Sequence, residues 1–219
     1  MKSWKCGVTI LAFAWPAAPA MAHPHVWIEM RSDVVVNDSG LVSAINVEWT
    51  FDDGYAQAAL EGLDSNSDGQ YSQAELDPLT KENMESLKDY DFFTFPRAGG
   101  QKLKIGPVTE YGQIYANDRL TLHFVVPLDQ PVDPRRMDFY YKIYDPDFFI
   151  AMDYAQNTPV NVIGALPQGC ALDVRPVPTS EELEETRQFL ATKGKEWQPD
   201  TDEDFGGMFA QPVHIACKG

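Results

Sequence analysis

Alternation of apolar and polar residues governs most of the chain. Val26, Ile28 and Met30 fall on one face of an extended segment, and Val34, Val35 and Val36 continue it. Asn37-Asp38-Ser39-Gly40 has the chemistry of a hairpin turn, and residues 41–51 (LVSAINVEWTF) return as a second strand. Shorter strands are expected at 103–105, 114–115, 120–126, 137–144, 148–153, 160–163 and 171–174. Proline and glycine punctuate them closely, which predicts an antiparallel β-sandwich. Helical period interrupts the pattern at 53–63, at about 72–88 and at 180–191. Ser180 is placed to cap the last of these helices, with Glu181 and Glu182 in its first turn. The expected class is therefore mainly β (α+β): a sandwich-like domain with a helix-loop-helix insertion at about 53–89 and a C-terminal helix. Residues 198–207 (QPDTDEDFGG) read as an acidic, mobile linker.

The first 22 residues follow another grammar. Lys2 and Lys5 form a basic start, residues 6–15 are apolar, and residues 16–22 end in Ala20-Met21-Ala22. This is the layout of a secretory signal peptide, with an apolar run too short to span a membrane. Cleavage after Ala22 leaves a single periplasmic domain, residues 23–219, that begins at His23. The whole chain carries a formal charge of −16. Removal of a segment with two lysines and no acid makes the mature protein more negative still. Such a chain repels nucleic acid and anionic membrane and attracts cations. No later apolar run is long enough to span a membrane. Cys170 and Cys217 survive cleavage in an oxidising compartment and are expected to form a disulfide tying the tail to the body.

Residues 64–75, DSNSDGQYSQAE, match the EF-hand loop at every ligand position. Asp64, Asn66 and Asp68 stand first, third and fifth, and Gly69 sits at the sharp turn. Gln70 offers a carbonyl, Ser72 stands ninth, and Glu75 supplies the last carboxylate. These hard oxygens suit Ca2+. One unpaired loop with three carboxylates is expected to bind at about 10⁻⁴–10⁻³ M, as a brace rather than a signal. Residues 200–211 start with alternating acids but place Phe205 where glycine belongs, so no second loop is expected.

His23 and His25 flank Pro24, and on an extended chain their imidazoles share a face. With the free amine of a mature N-terminus they offer three nitrogens, a set suited to Ni, Co, Zn or Cu rather than to calcium. Pro24 lacks the amide N–H that a square-planar amino-terminal chelate needs, so further ligands must come from elsewhere. Candidates are His123, the Asp52/Asp53 pair and Asp145/Asp147; His214 is expected to be structural. The sequence holds no nucleophile triad, phosphate loop or dinucleotide fingerprint. An enzyme is not expected, save as a copper site with N-terminal histidine ligation.

The segments HPHVWIEM, VEWTFDDGYA, YKIYDPDFFIAMDY and GCALDVRP, in that order, resemble the hallmark segments of a bacterial family of unknown function. That family is described as periplasmic components of an ABC-type transport system and is often encoded beside nickel/cobalt-type permeases. The matching positions are His23, His25, Trp49, Asp52, Tyr144, Asp145 and Pro146. The resemblance implies a periplasmic accessory protein of transition-metal transport, partnered by an inner-membrane permease. The calcium loop is a reading of this sequence and not of the family. A calcium-stabilised interaction module without a transition-metal role is the alternative.

Overall fold

A computed structural model describes residues 25–177, 179–193 and 204–218. The proposed signal peptide and His23 lie outside the described residues.

Eleven strands among the described residues form two sheets, with four short helices. In the first sheet β1 (Val26–Val36) and β2 (Val42–Phe51) pair antiparallel around the Asn37 turn. There Asn37 Oδ1 accepts from the N–H groups of Ser39 and Leu41. β2 pairs in turn with the long β6 (Arg119–Val132), and β6 with β5 (Tyr111–Ala116). On its other flank β1 meets β8 (Ile150–Tyr154) and then β9 (Val160–Ile163), both parallel to it. This corrects the purely antiparallel expectation: the first sheet is mixed. The second sheet runs β10 (Cys170–Val174), β11 (Val213–Cys217), β7 (Phe139–Ile143), β3 (Thr94–Ala98), β4 (Gln101–Lys102). The strand expected at 103–105 reduces to a single bridge, Ile105 opposite Leu128. On either side of it Gly106 N–H donates to the Pro127 carbonyl and Asp129 N–H to the Lys104 carbonyl.

From Ile28 to Val36 the even-numbered residues of β1 are buried in strict alternation, and β7 buries Phe139, Tyr141 and Ile143. Trp49, Tyr141, Phe124, Phe139 and Met30 are the largest fully buried side chains. Burying an apolar side chain of this size contributes roughly 1.5–3 kcal/mol. Ser32 Oγ lies 2.7 Å from the Tyr141 hydroxyl and 3.3 Å from that of Tyr154, a buried polar tie between the sheets. Burial raises the Tyr141 phenol well above its ordinary pKa.

Between β2 and β3 the chain forms α1 (Asp53–Leu60), α2 (Gln73–Leu87) and a 3₁₀ turn (Lys88–Phe93). Helix α2 sets Leu76, Thr80 and Met84 inward at helical spacing, and Thr80 donates to buried Gln113 of β5. The sandwich thus holds the helix-loop-helix segment at one side. After β10 come α3 (Glu181–Ala191), capped by Ser180 as expected, and α4 (Phe205–Phe209). Cys170 and Cys217 face each other in register on β10 and β11, their sulfurs 2.04 Å apart, at disulfide distance.

Candidate functional site

Three of the four segments that carry the family resemblance meet where β1 begins. His25 N–H donates to the Phe149 carbonyl at 2.8 Å. Two residues on, Trp27 N–H donates to Asp52 Oδ2 at 2.8 Å, and Asp52 N–H returns a bond to the Trp27 carbonyl at 2.9 Å. The start of β1 is therefore held from both flanks. Asp52 sits there because β2 ends and α1 starts at that point. Its Oδ1 caps the helix, accepting from Gly54 and Tyr55 N–H.

On the other flank the YDPDFF turn is wound around one buried carboxylate. Asp145 is 5% exposed. Its Oδ1 accepts from Asp147 N–H, and its Oδ2 from Phe149 and Ile150 N–H, at 2.9–3.0 Å. Burial pushes its pKa up, and the backbone bonds from Ile150 and Asp147 oppose that shift without cancelling it. The His25 ring lies against Phe149, centroids 4.8 Å apart.

A third element closes on this turn from the C-terminal side. Gly206 N–H donates to the Pro146 carbonyl at 3.1 Å, Tyr144 hydroxyl donates to Asp204 Oδ2 at 2.8 Å, and Lys142 Nζ donates to the Gly207 carbonyl at 2.8 Å. Burial first, then the Asp204 carboxylate, holds the Tyr144 phenol far above its ordinary value. A Cβ on Gly206 would lie 1.8 Å from the Asp145 carbonyl, so only glycine permits this approach. The linker expected at 198–207 is corrected for its described part: residues 204–207 are docked, with Phe205, Gly206 and Gly207 buried. Residues 198–203 lie outside the described residues.

The structure thus brings His25, Asp52 and Asp145 to one end of the sandwich. Both aspartates are committed to backbone donors and position the strand end. His123 is elsewhere. It faces Glu48 of β2 and Gly112 of β5, in the row of Arg31. His25 lies six residues farther along β1, roughly 20 Å at ~3.3 Å per residue. His123 and His25 therefore cannot share a metal in this fold. Among the described residues no three His, Cys, Asp or Glu side chains are grouped to hold a metal ion. Asp53 is the first residue of α1, and Asp147 donates its N–H to Asp145. His214, buried, stacks on Tyr140 and lies 3.8 Å from Asp138. Burial, aided by Arg175, lowers its pKa.

The 64–75 loop lies between α1 and α2 and has the turn its sequence implies. Gly69 has φ +75°, and its N–H donates to Asp64 Oδ2 at 2.9 Å. Asp68 N–H reaches Asn66 Oδ1 and Asp64 Oδ1, and Gln70 N–H reaches Asp68 Oδ1. Glu75 accepts at Oε1 from Ser65 N–H and hydroxyl and at Oε2 from the same groups of Ser72. These bonds, Ser65 first, lower its pKa to about 2. The oxygen donors suit calcium chemically. In this conformation the three carboxylates are not grouped to hold an ion, and Glu75 closes a capping box with Ser72. Tyr71 packs edge-to-face on Tyr115 at 5.1 Å.

A profile of the family described as "protein of unknown function (DUF1007)" matches residues 8–217, nearly the whole chain. The chain belongs to this family. An uncharacterized protein of Haemophilus influenzae is 26% identical over 200 residues, covering 90% of this chain and 92% of that protein. An uncharacterized 15.5 kDa protein in the trpE 3′ region of Spirochaeta aurantia is 33% identical over 97 residues, covering 44% of this chain and 69% of its own length. Sequence reasoning missed the docking of Asp204–Gly207. Its one local signal was the adjacent pair Gly206-Gly207 after an acidic cap, which marks a close backbone approach.

Proposed function

We propose that this protein is a periplasmic accessory protein of transition-metal transport that presents nickel, cobalt, zinc or copper at its N-terminal histidines to an inner-membrane permease. The observation that carries this reading is the two-sided clamp on β1, formed by Asp52 at Trp27 and by the Asp145 turn at His25. Pinning two backbone positions of one strand end fixes where His25 stands. Preorganisation of that kind lowers the entropy cost of chelation. With Asp52 and Asp145 committed to backbone, the metal would be held by the imidazoles of His23 and His25 and the amine of His23. The open coordination positions then suit delivery better than storage. The permease is the partner that the family resemblance implies, and the periplasm is where the proposed signal peptide directs the chain. Calcium in the 64–75 loop would act as a brace and would require Glu75 to exchange its bonds to Ser65 and Ser72 for the ion.

Untagged protein secreted through its own signal peptide tests the reading by calorimetric titration with Ni(II) or Cu(II). His25→Ala, and separately one extra residue before His23, should each weaken binding at least ten-fold. Equal affinity in all three proteins would remove the histidine site and with it the metal-handling role.

A further inference from the structure

A cavity of about 230 Å³ lies along β8, between that strand, the Asp145 turn and helices α3 and α4. Four consecutive residues, Ile150, Ala151, Met152 and Asp153, line it. Side chains of a strand alternate between its faces. A cavity touching four in a row must therefore run along the strand's edge, where main-chain groups project. β8 is the last strand of its sheet in the β5-β6-β2-β1-β8 order.

The direction of those groups follows from two bonds. Phe149 accepts from His25 N–H, and Ala155 N–H donates to the Met30 carbonyl. Odd-numbered residues of this stretch thus turn towards β1, and Ile150 and Met152 turn outward. The outward N–H of Ile150 is taken by Asp145 Oδ2 at 2.9 Å. The next outward pair, N–H and C=O of Met152, bonds to none of the described residues.

The open edge is short. Asp145 occupies its start, and past Tyr154 the flank of β1 passes to β9, with Ser32 N–H on the Pro159 carbonyl. A continuing strand would need more edge than this, whereas a chain end fits. Arg187 is the one cation among the described residues lining the cavity. Its guanidinium rests over the Phe209 ring at 4.9 Å and pairs with Glu184 at 4.0 Å, both side chains being exposed. Trp27 and Phe148 add aromatic wall. Asp145 and Asp153 also line the cleft, so Arg187 is the lining position that attracts a carboxylate.

We propose that this cleft binds the C-terminal end of a polypeptide, which adds a short strand to the edge of β8 and sets its terminal carboxylate on Arg187. Main-chain bonds to Met152 would give the register, the aromatic wall would take an apolar penultimate side chain, and the guanidinium would read the chain end. The site is independent of the histidine reading, since no imidazole takes part.

The probe is the tetrapeptide acetyl-Ala-Val-Phe-Val as free acid and as C-terminal amide, titrated into the full-length isotope-labelled secreted protein. The acid should shift the Met152 amide resonance and slow its hydrogen exchange, and the amide peptide should bind at least ten-fold more weakly. Arg187→Gln should bring the acid down to the level of the amide. Met152→Pro removes the outward N–H together with the side chain, Met152→Ala removes the side chain alone, and only the proline variant should abolish binding of both peptides. Should that variant fail to fold, the Arg187→Gln comparison and the Met152 exchange rate decide alone. Equal binding of acid and amide, or a Met152 resonance unmoved at millimolar peptide, overturns the proposal.

Discussion

Two turns in this protein are built around carboxylates that accept backbone N–H groups, and they differ in burial. Asp145 lies 5% exposed beneath the start of β1 and the docked α4. Asp64, Asp68 and Glu75 together accept five backbone N–H bonds in an exposed loop, against three at Asp145. Water replaces a lost bond at the exposed loop. At the buried turn a lost acceptor leaves N–H groups with no partner, at the full desolvation cost. The better motif in sequence is thus the lighter contributor to the fold, and the plainer YDPDFF turn organises one end of the sandwich.

Removing the buried acceptor is expected to have the largest effect. Asp145→Ala strands three backbone donors and frees both the β1 start and α4, so unfolding free energy should fall by about 3–5 kcal/mol in denaturant titration. A loss comparable to that of a surface substitution would erase the distinction between the turns.

Gly206→Ala probes the same turn from outside. The added methyl cannot coexist with the Asp145 carbonyl, so α4 must move away. The expected cost is roughly 1–3 kcal/mol, with faster proteolysis between α3 and β11. Unchanged protection there would show that the docking of α4 does not depend on this approach.

The smallest effect concerns protons and calcium. Glu75, with its pKa lowered to about 2, favours the fold when ionised, so its contribution is present above 4.5 and is lost as pH falls towards 2. Asp145 has the opposite sign. Burial raises its pKa above 3.8, so its contribution is full below that value and is lost as pH rises through its folded pKa. Carboxyl resonances followed by pH titration should place Glu75 near 2 and Asp145 above 3.8. Calcium at ~10 mM, above the dissociation constant expected of such a loop, should raise the melting temperature of the native protein and not that of Glu75→Gln. The same melting temperature in calcium and in chelator would leave the loop a turn without a cation.

Much of the candidate site was legible as residues and little of it as roles. His25, Asp52 and Asp145 stand out in sequence, and the fold does gather them. Their number gave no hint that both aspartates hold backbone. A carboxylate at a helix start or inside a turn looks the same in sequence as a ligand, and only the placement of N–H groups separates the two. His123 shows the converse: a histidine on a polar strand face is a plausible ligand until strand order sets it two strands away from β1.

By itself the sequence determined what depends on neighbours along the chain. Alternation set β1 and β2, Asn37 closed their hairpin, and Ser180 with its acidic first turn started α3, because each signal is complete within a few residues. Cys170 and Cys217 could be matched by count once Cys6 is assigned to the expected signal peptide. Tertiary structure decided that β8 and β9 lie parallel to β1, since an isolated strand carries no mark of its partner's direction. It also decided the burial of Asp145 and the docking of Asp204–Gly207 onto it. Those contacts join residues roughly 60 positions apart in the chain, and their energy exists only once water has been excluded between them.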